Sequence, residues 1–302
     1  MELNKIYQGD CLEVMKTFPD GCIDMVMTSP PYWALRDYGV KGQLGLEPTF
    51  QEYINKLCDI FDEVKRVLKK EGTCWVNLGD TYAGSGDNIK KPEYKENAKE
   101  CDAGAPKDNI KHLVPSKCLC QIPSRFAIEM TNRGWILRNE IIWYKKNCMP
   151  SSVKDRFTVD FEKIFFFVKS KKYWFEQQFE ENLSIGKTGW EKSGRGNGSE
   201  TAMRGDGKMF SEQGRNKRCV WQVNPKPFSE AHFAVYPEEL CLTPIKAGCL
   251  KNGIVLDPFF GAGTTAVVAK KLNRNYIGIE LNPEYIKIAE GRLKKIQDNK
   301  LF

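Results

Sequence analysis

The spacing of apolar and polar positions divides the chain into recognisable elements. Ile23-Asp24-Met25-Val26-Met27 is a short apolar run that stops at a Ser-Pro-Pro turn, which predicts a buried strand. Tyr53, Leu57, Ile60, Phe61, Val64, Val67 and Leu68 recur at helical spacing; Lys69 and Lys70 suit that helix's C-terminus and Gly72 the position after it. Thr73–Leu78 then reads as a strand. Gln121–Asn132 reads as a helix, and Trp135–Tyr144 and Phe161–Val168 as strands rich in Ile, Phe and Trp. The C-terminal part alternates: strand at Ile254–Leu256, turn at Asp257–Gly263, helix at Thr264–Leu272, strand at Tyr276–Ile279, helix at Pro283–Ile296. Strands alternating with helices predict an α/β fold with a mostly parallel sheet and helices on both faces. There is no internal repeat.

Two stretches break the pattern. Residues 82–117 are polar, with several glycines and prolines, and read as a long loop or insertion. Residues 184–218 carry eight glycines among eight lysines and arginines, with Trp190 and Phe210 interleaved. Pliable backbone with cations and aromatics suits a surface that settles on nucleic acid, and equally a solvated linker. The domain organisation expected is therefore one domain from 1–183 and 219–302, with 184–218 as a candidate target-recognition segment.

Composition narrows the classes. Over 302 residues, 46 Lys and Arg against 39 Asp and Glu leave a net charge of +7, which allows a polyanionic partner but is far from a histone-like density. Hydrophobic residues at 41%, charged residues at 28% and a mean hydropathy of −0.49 describe a globular chain with no apolar run long enough for a membrane span. The opening Met1-Glu2-Leu3-Asn4-Lys5 has no apolar signal core, so a cytoplasmic, reducing setting is expected, with the 11 cysteines as free thiols. Cys118-Leu119-Cys120 beside His112 is the one close cysteine pair, the other histidine being His232; four ligands at zinc spacing are lacking, and no metal is expected.

The candidate chemistry lies in two turns. Asp257-Pro258-Phe259-Phe260-Gly261-Ala262-Gly263-Thr264-Thr265 links a strand to a helix and brings backbone close to a ligand beside a helix N-terminus. Glu280, at the end of the next strand, offers two oxygens to the two hydroxyls of a ribose. Taken alone this is a nucleoside site, and a nicotinamide-dependent dehydrogenase would fit it. The turn has no cation for a pyrophosphate, however, and it presents Phe259 and Phe260 as an apolar wall. The other turn is Thr28-Ser29-Pro30-Pro31-Tyr32-Trp33. Two prolines make it rigid and strip it of two N–H donors, Ser29 adds a hydroxyl, and Tyr32 and Trp33 add flat faces. An acceptor-rich pocket beside an aromatic suits a planar base bearing an amine. Such an amine is a poor nucleophile, because its lone pair is delocalised into the ring. Two acceptors that hold its N–H bonds favour a pyramidal nitrogen.

Taken together, the two turns resemble those of the amino-methylating DNA methyltransferases, which act on cytosine N4 or adenine N6. Within Thr28–Trp33, Ser29-Pro30-Pro31-Tyr32 is similar to their catalytic tetrapeptide, Asp257–Thr265 to their S-adenosylmethionine loop, and Ile279–Tyr285 to the strand end that follows. With the catalytic motif first and the cofactor loop last, the order resembles the circularly permuted β arrangement, in which target recognition lies between. The resemblance implies the Rossmann-like fold of S-adenosylmethionine-dependent methyltransferases. It implies Ser29, Pro30, Pro31 and Tyr32 as catalytic residues. Cofactor contacts are implied at Asp10, Cys11, Thr28, Asp257, Pro258, Phe259, Gly261, Gly263, Thr264, Glu280 and Asn282. DNA contacts are implied at Trp33, Lys146, Ser151 and Arg156, and at Arg195, Arg204, Arg215, Lys217 and Arg218. Double-stranded DNA is the implied partner, with the target base flipped out for direct in-line attack. A cognate restriction endonuclease is a further partner that the resemblance allows. Ser rather than Asp at position 29 leans toward cytosine N4, with adenine N6 the alternative. A nucleic-acid-binding module without chemistry is a third reading, disfavoured by the two intact motifs. No Pro-Cys dipeptide is present, so the C5-cytosine route through a cysteine nucleophile is disfavoured.

Overall fold

Thr49 accepts the amide of Glu52 and starts α2 (Phe50–Val67), whose apolar face repeats through Tyr53, Leu57, Phe61 and Val64, all buried. A computed structural model describes residues 1–84 apart from 36, 38 and 41, and then 113–181, 214–225 and 235–298. They form two compact units, Met1–Glu176 with Cys219–Phe302, and Gln177–Arg218.

In the larger unit the elements run β1 (Lys5–Gln8), α1 (Cys11–Lys16), β2 (Ile23–Thr28), α2, β3 (Leu68–Leu78), α3 (Ile122–Asn132), β4 (Ile136–Tyr144) and β5 (Phe161–Val168). After the smaller unit, whose strands are β6 (Phe179–Glu180) and β7 (Arg215–Asn216), come β8 (Val220–Gln222), α4 (Glu238–Gly248), β9 (Ile254–Asp257), α5 (Thr264–Lys271), β10 (Asn275–Glu280) and α6 (Pro283–Asp298). The sheet has the order β1-β10-β9-β2-β3-β5-β4-β8. It is parallel from β1 to β3, β5 runs antiparallel to both β3 and β4, and β8 is parallel to β4.

Alternation along the strands feeds two cores. Val26, Cys74, Val76, Phe165 and Phe167 pack with α1, α2 and α3 on one face. Met25, Met27, Trp75 and Phe166 pack with α4, α5 and α6 on the other. Trp75 and Phe166 stack at 4.1 Å. Each such side chain contributes about 1.5–3 kcal/mol on burial, so both helix layers are firmly seated.

The topology also fixes where a ligand can bind. From β2 the chain crosses over through α2 to β3 on one side, and from β9 through α5 to β10 on the other. The strand order reverses between β2 and β9, and the carboxyl ends of those neighbours open a crevice.

Some elements differ from the expectation. Gly72 does not follow the helix; α2 ends at Val67 and runs straight into β3, so Lys69, Lys70 and Gly72 lie in the strand. Glycine is needed there for space, since a Cβ would meet the Leu68 side chain at 2.7 Å and the Asp24 carbonyl at 2.8 Å. Helix α4 went unread because Pro244 lies inside it, and β1 and β8 because they are short and partly polar. The polar stretch is pinned at its ends by an antiparallel bridge between Tyr82 and Leu119 and by the Ala83 amide on the Cys118 carbonyl; residues 85–112 lie outside the described residues.

In the smaller unit β6 pairs antiparallel with β7, and the Glu180 carboxylate accepts from Arg215 Nε at 2.9 Å and Arg218 Nε at 2.8 Å. Lys217 donates its amide to the Gln178 carbonyl. Arg195, Arg204 and most of 184–218 lie outside the described residues. Among the described residues no helix is long and apolar enough to cross a membrane, no cluster of His, Cys, Asp and Glu could hold a metal ion, and ten cysteines are free thiols.

Candidate active site

The Ser29–Tyr32 turn leaves the end of β2, and the Pro258–Ala262 turn leaves the end of the adjacent β9. Both line a single cavity of about 650 Å³, the size range of small-molecule sites. Gly9–Leu12, which follow β1, and Glu280–Asn282, at the end of β10, line it too. Behind this lining, residues 229 apart are tied together, where Thr28 Oγ1 donates to Asp257 Oδ1 at 2.6 Å.

On the β2 side the turn is held from below. Ser29 Oγ donates to Asn77 Oδ1 at 3.3 Å, which leaves the serine lone pairs as acceptors. Tyr32 OH donates to Glu162 Oε2 at 2.6 Å and lies 3.2 Å from Asn77 Oδ1. Asn77 is fully buried, and its amide nitrogen donates to Glu162 Oε2 and to the Lys163 carbonyl, so its orientation is fixed. Glu162 is also paired with Lys145 Nζ. Burial, and next the charge of Glu162, push the Tyr32 phenol well above its ordinary range, so it remains a proton donor. The Tyr53 hydroxyl donates to the Pro31 carbonyl at 2.8 Å and steadies the turn. The Tyr32 ring lies against Gly79, where a Cβ would come within 2.5 Å of it.

On the β9 side Gly261 adopts the left-handed region with φ 51°, and its amide donates to Glu280 Oε2 at 2.7 Å. The Asn282 amide donates to Glu280 Oε1 at 2.8 Å. Each oxygen thus accepts one backbone N–H and retains a lone pair for a further donor. Burial raises the Glu280 carboxyl, opposed by those two amides. Phe259 and Phe260 form an apolar wall, with Phe260 filling the space above Gly278. Asp10 lines the cavity while capping α1 through the Leu12 and Glu13 amides. Burial, and then Asp10, push the Cys11 thiol up to about 12, so it is no nucleophile at neutral pH.

Several sequence-derived candidates stand elsewhere. Trp33 was expected at DNA, but it is 1% exposed, donates to the Glu47 carbonyl at 2.9 Å and packs edge-on against Phe50. The turn through Ala34, whose φ is 56°, buries the indole in the α2 core because no polar surface could cover it as cheaply. Asp257 does not line the cavity. It is 1% exposed and accepts from Thr28, Thr265, Tyr236 and the Phe259 amide, and burial raises its carboxyl. Thr28 is equally buried, and Gly263, at φ 76°, packs against Ala289 and Phe260 as it opens α5. Thr264 lines the cavity, though its hydroxyl accepts from Arg292. Lys146 and Ser151 are exposed, and Arg156 lies over the Tyr82 ring at 3.8 Å.

Sequence reasoning assigned no role to Asn77, Gly79, Glu162 or Tyr236, and it placed Lys145 only within the Lys145–Pro150 stretch that resembles the DNA side of the family's active site. Asn77 did leave a signal, being a lone amide inside the apolar run Trp75–Leu78; buried polar groups need partners, and this one has four. Tyr236 follows undescribed residues and reaches both Asp257 Oδ2 and Thr265 Oγ1.

A family model described as a DNA methylase of the N6/N4 type matches residues 23–291. The Type II methyltransferase M.Cfr9I of Citrobacter freundii is 42% identical over 296 residues, covering 97% of this chain and 89% of that protein. Among solved structures, the cytosine-N4-specific PvuII DNA methyltransferase superposes with a TM-score of 0.65 at 20% identity, covering 99% of this chain and 91% of its own. A Thermus thermophilus protein complexed with S-adenosyl-L-methionine superposes with a TM-score of 0.61 at 22% identity, covering 97% and 93%. The sheet has the Rossmann-like architecture of these methyltransferases.

Proposed function

The chain belongs to the N6/N4 DNA methylase family and is a DNA methyltransferase, and on that premise we propose that it is a site-specific Type II enzyme that methylates the exocyclic N4 of cytosine in double-stranded DNA. The observation that carries this reading is the single cavity shared by the Ser29–Tyr32 turn and the Gly261–Glu280 pair. The family's methyl donor, S-adenosylmethionine, fits the second half: a carboxylate with both oxygens part-open suits a ribose diol, and the phenylalanine wall beside a turn without cations suits a ligand that has no phosphate there. Glu280, Gly261, Phe259 and the Gly9–Cys11 turn would hold it, with Asp257 and Thr28 acting from behind by fixing the two turns to each other. When bound, it supplies an electrophilic methyl group on a sulfonium.

The chain's own residues do the rest. Ser29 Oγ, its hydrogen committed to Asn77, accepts one N–H of the target amine, and the Pro30 carbonyl accepts the other. This holds the nitrogen lone pair toward the cofactor side, where positioning alone is worth several kcal/mol. Tyr32, held by Glu162 and Gly79, offers a ring face to the flipped base. No covalent enzyme intermediate is needed, in agreement with the protonated thiol of Cys11. Ser29 favours cytosine over adenine by family pattern. A cognate endonuclease would complete a restriction–modification pair.

Sequencing of modified DNA from a methylation-free host carrying the gene, with nucleoside mass spectrometry, tests this. N4-methylcytosine at one recognition sequence is expected. N6-methyladenine would move the target to adenine, and unmodified DNA would refute the proposal.

A further inference from the structure

Between β4 and β5 the chain leaves the cavity and returns to it. Lys145 and Glu162 both line the cavity and are paired, and the Lys145 amide donates to the Asp160 carbonyl at 2.7 Å, so the segment between them leaves from and returns to a closed neck at the cavity wall. Its far half is tied down a second time: Asp155 pairs with Lys117 at 2.7 Å, and the Arg156 guanidinium lies 3.8 Å above the Tyr82 ring. Tyr82 follows closely on Gly79, which touches Tyr32.

This anchored segment holds its largest apolar side chains in solvent. Phe157 is 96% exposed and Met149 87% exposed. Anchoring at Arg156 and at Asp160 would let the chain tuck a phenylalanine inward if burial were its purpose. A phenylalanine and a methionine left in water on one anchored stretch of backbone, with exposed Lys146, Lys154 and Arg156 close by in the chain, suit a contact surface of mixed apolar and cationic character. Three residues of chain reach at most about 11 Å, so Phe157 stands beside the neck at Asp160. Lys146, Lys154 and Arg156 flank the two apolar side chains, and all three are exposed. Cations around a free aromatic ring match a polyanion with stacked bases, not a lipid-like or neutral protein face.

We propose that Phe157 is the wedge that enters the DNA stack beside the target and occupies the space left by the flipped base, with Lys146, Lys154 and Arg156 on the flanking phosphates. The inference rests on the methyltransferase reading and adds to it the residue that opens the duplex. An apolar side chain inserted at a base step compensates part of the unstacking cost, and it does so only where the base starts inside a paired stack.

The test compares two duplexes carrying the recognition sequence found by sequencing, one fully paired and one with the target base mispaired, because a mispaired base costs less to extrude. Phe157→Ala, at a position too exposed to affect folding, should lower kcat/KM on the paired duplex roughly 10- to 100-fold, the range of one aromatic–base stack. On the mispaired duplex it should stay within about twofold of the unaltered protein. Phe157→Trp should retain activity on both, and calorimetry with S-adenosylhomocysteine should give one affinity for all three proteins. Equal loss on the two duplexes, or loss on neither, overturns the wedge. Failure of the unaltered protein to methylate either duplex overturns the methyltransferase reading instead.

Discussion

On the β2 side of the cavity, Ser29 and Tyr32 are placed by Asn77, 48 and 45 residues away, and by Glu162, 130 residues from Tyr32. On the β9 side, Glu280 is placed by Gly261, 19 residues away, and by Asn282, two residues away. The amine wall is a side-chain network across three strands, including the antiparallel β5. The cofactor wall is a local motif in which backbone amides meet one carboxylate. A local motif carries its geometry within its own sequence. A network inherits its geometry from the sheet, so it can be disturbed from far away, and the two walls should fail separately.

The largest effects test that separation directly. Ser29→Ala or Tyr32→Ala should lower methyl transfer by about 100-fold or more, because each removes a group aimed at the reacting base, while S-adenosylhomocysteine affinity persists. Glu280→Ala should do the reverse, weakening cofactor affinity about 10- to 100-fold, since each hydrogen bond to a charged group is worth about 1.5–3 kcal/mol. Calorimetry beside a radiolabelled methyl assay reads both. Equal loss of cofactor affinity in all three variants would dissolve the distinction between the walls.

A smaller effect sharpens it from outside both motifs. Gly79→Ala puts a Cβ where the Tyr32 ring lies, at 2.5 Å, and the ring must move. Transfer should fall about 10- to 100-fold, as for a misplacement of an ångström, with cofactor binding and melting temperature nearly unchanged. Unaltered transfer would show that the amine wall tolerates displacement of its tyrosine.

The smallest effect is chemical. With its thiol pushed up to about 12, Cys11 is protonated throughout pH 7–9 and becomes mostly thiolate only above about pH 12. Iodoacetamide should therefore modify exposed Cys219 and leave Cys11 unmodified as pH rises from 7 to 9, read by peptide mass spectrometry. Rapid labelling of Cys11 in that window would mean that the cofactor wall opens in solution.

The same contrast explains what could be read from the chain. Strands β2, β5, β9 and β10 and helices α2, α3, α5 and α6 were legible because their periodicity is strong and their turns carry Gly, Pro or capping residues. The cofactor turn and Glu280 were legible because they are contiguous motifs. Trp33 was misplaced because an aromatic after a Pro-Pro turn reads alike as a stacking face or a core residue, and its burial depends on how residues 34–50 fold back over it. Asp257 was given a ligand role because motifs record residue types but not which way a carboxylate faces. Glu162 was passed over because a charged residue between Phe161 and Lys163 looks like an ordinary exposed position until β5 is laid antiparallel beside β3.

By itself the sequence determined the alternation of strands and helices, the order of the two motifs and the chemical character of each turn, because these depend on neighbours along the chain. Tertiary structure alone decided that the turns open on the same crevice, that Thr28 is bound to Asp257, and that Asn77 and Glu162 stand under Ser29 and Tyr32. Those facts follow from strand order and register, and register is set by the summed packing of both helix layers on the sheet, a quantity that no single stretch of residues contains.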